Sequence, residues 1–211
     1  MPIEMLRRAR VLPVLVIDDS ADAVPLAIAL RDAGISSLEV TLRRPGALEA
    51  IRSIIAGVDG VSVGAGTVTT PEQLDQLRRL GAAFAVSPGT NAALVRRARE
   101  LGLPYLPGVV TPTEVMAGLD LGLTAFKFFP AGAFGGIGAL RAYAEVFPQA
   151  HFCPTGGVGP DNAAEYLGLP NVVAVGSSWL APADLVNARD WREIGARAAA
   201  LLARLSPAAS G

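Results

Sequence analysis

The alternation of short apolar runs with helix-patterned segments limits what this chain can fold into more than any other feature of its sequence. Eight runs rich in aliphatic and β-branched residues recur: Val11 to Ile17, Ser37 to Leu42, Val61 to Ala65, Ala83 to Val86, Pro104 to Gly108, Ala125 to Phe129, His151 to Pro154 and Val172 to Gly176. Helical periodicity fills the intervals, as in Ala21 to Ala33, Pro71 to Leu80, Asn91 to Leu101, Thr113 to Leu121 and Ile137 to Val146. Strands apolar on both faces need helices on both sides of a parallel sheet. Eight such units in 211 residues predict closure into a single (β/α)8 TIM barrel. Pro71, Pro112 and Pro160 stand where helices should begin, and Met1 to Arg10 predicts a short N-terminal helix under the barrel. The alternative is an open doubly wound sheet, but Gly64-Ala65-Gly66-Thr67-Val68-Thr69 lacks the last glycine of a dinucleotide fingerprint.

The length favours one domain over residues 1–211, and a composition 51% hydrophobic and 18% charged excludes a disordered chain. With 18 basic and 19 acidic side chains there is no overall positive field to gather nucleic acid or an anionic membrane, so the expected partner is a small molecule. Arg7, Arg8 and Arg10 before Val11 to Ile17 imitate the start of a secretory signal, but Asp18 and Asp19 end the apolar run early. No apolar stretch approaches the roughly 20 residues of a membrane span, and one cysteine cannot form an internal disulfide. A soluble, cytoplasmic protein is expected.

Alternate residues of a strand share a face, so Glu39, Thr41 and Arg43 project together, opposite Leu38, Val40 and Leu42. By the same count Val63, Ala65 and Thr67 share a face, as do Ala125, Lys127 and Phe129. The polar set is expected at the C-terminal mouth of the barrel, where active sites of this fold lie.

Of the 18 basic residues 17 are arginine; the exception is Lys127, in the apolar run Ala125-Phe126-Lys127-Phe128-Phe129-Pro130. Desolvation disfavours an ammonium and exposes the neutral amine, which can add to a carbonyl and form a Schiff base, whereas arginine stays charged. The structural alternatives are a lysine paired with a buried carboxylate, or one on an edge strand with its head in water. Glu39, flanked by Leu38 and Val40, must likewise be paired, with Arg43 for instance, or be used to move protons. Arg43 offers a planar fork for a substrate carboxylate. The glycine-rich turns Thr155-Gly156-Gly157-Val158-Gly159-Pro160 and Val175-Gly176-Ser177-Ser178-Trp179 follow the last two strands, where barrels bind phosphate through backbone N–H groups; plain tight turns are the alternative. The single histidine, His151, starts a strand and reads as structural. Cys153 reads as a small buried hydrophobe, and no metal-ligand cluster is visible. Arg189 to Ser206 reads as a last amphipathic helix whose Ala-rich face covers the barrel or meets a neighbour.

In order and at compatible spacings, the segments Leu38-Glu39-Val40-Thr41-Leu42-Arg43, Val63-Gly64-Ala65-Gly66-Thr67-Val68, Ser87-Pro88-Gly89, Phe126-Lys127-Phe128-Phe129-Pro130, Phe152-Cys153-Pro154-Thr155-Gly156-Gly157 and Gly176-Ser177-Ser178-Trp179-Leu180 resemble the 2-keto-3-deoxy-6-phosphogluconate (KDPG) aldolase family. The resemblance implies a class I aldolase of the Entner-Doudoroff pathway. Such an enzyme is a homotrimer without cofactor or metal, and it cleaves the phosphorylated keto acid to pyruvate and glyceraldehyde 3-phosphate. It implies Lys127 as the Schiff-base lysine and Glu39 as the proton-transfer group. Arg43 and Thr67 would bind the pyruvyl end, Pro88 and Phe129 would wall the pocket, and Thr155 would set specificity. Gly156, Gly157 and Ser178 would hold the phosphate. The departure is Ala131-Gly132-Ala133-Phe134-Gly135-Gly136, where the family pattern is a more polar loop. Related activities on 4-hydroxy-2-oxoglutarate or on the galactonate epimer are the alternatives within the family. A phosphate-binding barrel isomerase, or a non-catalytic barrel that binds a phosphorylated metabolite and regulates another process, is the alternative outside it.

Overall fold

The computed structural model describes residues 3–205 and has an α/β architecture built from parallel strands and covering helices. The strands are β1 (Val11–Leu15), β2 (Ser37–Thr41), β3 (Ser62–Gly66), β4 (Ala85–Val86), β5 (Tyr105–Leu106), β6 (Gly108–Val109), β7 (Ala125–Phe128), β8 (His151–Pro154) and β9 (Val175–Ser177). Six form a curled parallel sheet in the order β5-β4-β3-β2-β1-β9, and three form a second in the order β6-β7-β8. The helices are α1 (Ile3–Ala9), α2 (Ala23–Asp32), α3 (Ala47–Gly57), α4 (Pro71–Leu80), α5 (Ala92–Glu100), α6 (Pro112–Asp120), α7 (Gly136–Val146), α8 (Ala163–Leu167), α9 (Ala183–Asn187) and α10 (Trp191–Leu205).

The eight sequence runs locate the strands, with shifted edges. Pro104 to Gly108 divides at Pro107, which has no N–H to give a ladder; its carbonyl accepts from Lys127 N at 2.8 Å. Parallel bridges Phe152↔Val172 and Thr155↔Gly176 join β8 to the chain of β9. Thr70 and Thr111 cap α4 and α6 with complete capping boxes closed by Gln73 and Glu114, and Pro71 and Pro112 open those helices as their spacing foretold. Pro160 precedes α8 by a short turn instead of opening it, because Asn162 takes the cap position. The Ser206 end of the last expected helix lies outside the described residues.

Two apolar clusters divide the interior. The larger, between strands and helices, includes Leu38, Val40, Val63, Ala65, Phe126, Phe128 and Phe152, along with Ile194, Ala198 and Leu201 of α10. The last helix therefore covers the sheet. The smaller holds Leu12, Phe84, Val86, Leu106, Ala125 and Cys153 with Leu6 of α1, so the N-terminal helix closes the inner core from below. Side-chain alternation explains the split: Ala125 and Lys127 face inward, while Phe126 and Phe128 face the helices. Thr67 breaks that alternation. Val63 and Ala65 join the helix-facing core, but Thr67, at φ 62°, turns out of register and meets Arg43.

Candidate active site

Lys127 and Glu39 lie 88 residues apart in sequence, on β7 and β2, and meet inside the fold with Nζ donating to Oε1 at 2.9 Å. Both are buried, with Lys127 5% and Glu39 1% exposed, so the pair stands in a low-dielectric setting where neither charge is tolerable alone. Glu39 pairs with Lys127 and not with Arg43, and its Oε2 is buried without a hydrogen-bond partner among the described residues. That leaves a second acceptor on the same carboxylate for a substrate hydroxyl or a water. The flanking strands keep the space around the pair small. Gly108 and Cys153 are the cross-strand partners of Lys127, and Val14 and Gly64 those of Glu39.

Gly66 explains why the carboxylate is held where it is: a methyl group there would overlap Glu39 Oε1. Sequence reasoning passed over this residue, although its inward parity beside Glu39 was the available signal. The Phe129 ring stands 5.2 Å from Lys127 Nζ, close enough for its face to favour a cation there. The Phe129-Pro130 peptide is cis. Pro88 stands on the other side of β6, its carbonyl so near Gly108 that a side chain at 108 would collide with it. Ser87 holds that wall, bonded to Tyr105 Oη at 2.6 Å and donating to the Gly89 carbonyl. Burial pushes the Tyr105 hydroxyl up to about 12, against a lowering by the Ser87 hydrogen bond, so it stays protonated near neutral pH.

Arg43 is exposed just past the C-terminal end of β2, where its Nε donates to Thr67 Oγ1 at 3.4 Å, and no carboxylate pairs with it among the described residues. Its fork is thereby free for an anion. Thr155, buried at the end of β8, donates to the Cys153 carbonyl at 3.3 Å, and any side chain on Gly176 would overlap its hydroxyl. Gly156 and Gly157, at φ 91° and 78°, turn the chain outward in a conformation that favours glycine. With Ser178 and Trp179, the Gly157–Asn162 segment lines a recess of about 360 Å³. Among the described residues the N–H groups of Gly157, Val158 and Ser178 donate to no protein acceptor. The Ala131–Gly136 departure is tied to this turn by backbone hydrogen bonds, Ala131 N donating to Thr155 O at 2.8 Å and Gly132 N to Gly156 O at 2.9 Å, and the Ala131 methyl joins the apolar cluster that holds Val158. The turn's support therefore needs no polar side chain in the loop, and Phe134 is left 51% exposed.

Cys153 is buried, and burial pushes its thiol up to about 12 despite the opposing charge of Lys127, so no thiolate forms near neutral pH. His151 begins β8, and its Nδ1 is buried without a hydrogen-bond partner among the described residues.

The model of the KDPG and KHG aldolase family matches residues 3–197. This chain belongs to that family. It is 50% identical over 184 residues to the 2-dehydro-3-deoxy-phosphogluconate aldolase of Pseudoalteromonas atlantica, covering 87% of this chain and 86% of the relative. Among solved structures, the KDPG aldolase of Legionella pneumophila, with pyruvate captured as a covalent carbinolamine intermediate, superposes at a TM-score of 0.92. It is 44% identical and covers 95% of this chain and 98% of its own. The 2-keto-3-deoxy-6-phosphogluconate aldolase of Zymomonas mobilis, solved with 3-phosphoglycerate, gives 0.91 at 48% identity over 99% and 98% of the two chains.

Proposed function

We propose that the protein is a class I, metal-independent aldolase that cleaves 2-keto-3-deoxy-6-phosphogluconate to pyruvate and glyceraldehyde 3-phosphate. The buried contact of 2.9 Å between Lys127 Nζ and Glu39 Oε1 carries this reading. A carboxylate at that distance takes the ammonium proton, leaving an amine to attack the C2 ketone. Glu39 returns the proton to the carbinolamine hydroxyl, which leaves as water, and the iminium becomes the electron sink. Glu39 then removes the C4 hydroxyl proton; the C3–C4 bond breaks, its electron pair enters the enamine, and the aldehyde departs. Protonation at C3 and hydrolysis release pyruvate and restore the amine. The electron sink is the iminium itself, so the steps draw on no metal.

Arg43 and Thr67 are the proposed partners of the substrate carboxylate, Pro88 and Phe129 the pocket walls, and Thr155 the group that reads C4. Gly156, Gly157 and Ser178 would hold the phosphate. The unpaired N–H groups around that recess favour a phosphorylated substrate over 4-hydroxy-2-oxoglutarate. The strand bridges at Phe152 and Thr155 and the single interruption at Pro107 support reading the two sheets as one closed (β/α)8 barrel, a single domain over residues 1–211. The likeness to the family is what supports a homotrimer, and a lone free cysteine fits the cytoplasm.

The test is pyruvate release from the gluconate-derived substrate, its C4 epimer and 4-hydroxy-2-oxoglutarate. The first is expected to give the highest kcat/KM. A higher value for either of the others would reassign the substrate, and no pyruvate from any would overturn the aldolase reading.

A further inference from the structure

The glycine turn after β8 is tied down by two side chains that the proposed chemistry does not use, Asn162 at the edge of the recess and Ser177 buried beneath it. Asn162 Oδ1 accepts from Gly159 N at 2.9 Å while its Nδ2 donates to Gly157 O at 2.9 Å, so one amide ties both ends of Gly157-Val158-Gly159. Ser177, 1% exposed, donates from Oγ to Val158 O at 2.8 Å and accepts from Trp179 N at 3.3 Å. The Gly157 and Val158 carbonyls and the Gly159 N–H are thus engaged. Among the described residues the N–H groups of Gly157 and Val158, and that of Ser178 just beyond Ser177, are left without acceptors. Glycine at φ 78° has many alternatives in an untethered turn, and an anion would have to order them at its own cost.

We propose that Asn162 and Ser177 are positioning residues that preorganise the phosphate subsite and so set the preference for phosphorylated over unphosphorylated substrates. The proposal rests on the reading of this recess as a phosphate site. Neither side chain is required to touch the substrate. Asn162 shares the sequence segment of the glycine turn, but nothing in its spacing marked it; only the three-dimensional turn shows what its amide spans.

Asn162→Ala tests this through two readouts that use different parts of the site: the phosphorylated keto acid with inorganic phosphate as competitor, and exchange of pyruvate methyl protons in deuterated water, which needs Lys127, Glu39 and the groups that bind the pyruvyl end but not the recess. Two hydrogen bonds of ordinary net strength correspond to about a tenfold change. The KM of the phosphorylated substrate and the inhibition constant of phosphate are expected to rise about tenfold, with exchange within about twofold of the native rate. Ser177→Ala, which removes one bond to the turn, is expected to raise both about threefold and keeps the test available if Asn162→Ala does not fold. Unchanged constants in both variants, or a parallel loss of exchange, would overturn the positioning role. A native protein insensitive to phosphate would instead remove the phosphate reading itself, and the inference with it.

Discussion

At the residue scale the site depends on glycines and on one strained threonine as much as on the charged pair. A methyl at position 66 must displace the Glu39 carboxylate, and misplacement by about 1 Å costs on the order of a hundredfold in rate. Gly66→Ala is therefore expected to lower kcat about a hundredfold while leaving phosphate inhibition unaltered; equal activity in steady-state assays would contradict the packing argument. Thr67 sits at φ 62°, where a β-branched side chain is strained by about 2 kcal/mol, against about 1 kcal/mol of extra unfolded-state entropy for glycine. Thr67→Gly is expected to stabilise the fold by about 1 kcal/mol in denaturant melts yet raise the KM for pyruvate in proton exchange. A destabilised variant would show that the backbone is not strained there. The sequence makes Lys127 and Glu39 legible because each is a charge in an apolar strand, an anomaly that composition exposes. It does not make their pairing legible, since Arg43 was an equally plausible partner for Glu39 on strand parity. Only the curvature that brings β2 opposite β7 decides it.

At the element scale the caps carry a pH dependence. Partial burial, the largest single influence on Glu114, raises its carboxyl. Hydrogen bonds from Val110 N, Thr111 N and Thr111 Oγ together outweigh that and hold it below the usual 4.5. A depressed folded value means that the stabilisation is fully present above 4.5 and is lost as pH falls through the lower folded value. Glu114→Gln is expected to flatten the acid limb of a plot of melting temperature against pH below 4.5, and an unchanged limb would show that the cap carries no linkage. Helix starts were legible where proline and a capping box coincide, at Thr70-Pro71 and Thr111-Pro112. They were not legible at Pro160, where a side chain three-dimensionally committed to the glycine turn takes the cap position. Strand edges were blurred for a related reason. Short parallel strands end where ladder bonds end: at Pro107 a missing N–H divides an apolar run, and at Thr67 a positive φ ends β3 one residue past its run.

At the scale of the whole molecule, the inward and outward faces of the strands separate two jobs. The outward aliphatic layer packs against helices that include α10, and the inward layer narrows from an apolar floor under Leu6 to the charged pair above it. This layering was legible from apolar runs and strand parity, whereas the division of a run at Pro107 and the departure loop's backbone hydrogen bonds to the glycine turn show only in the folded chain. The central claim is that this enclosure makes Lys127 a covalent catalyst. The direct measurement is intact mass with peptide mapping after incubation with pyruvate and borohydride, since Lys127 is the only lysine and the N-terminal amine the only other primary amine of the chain. A single reduced adduct on Lys127, absent from Lys127→Arg, is the result this account predicts. A folded protein that traps no pyruvate, or traps it only at the amino terminus, would contradict it.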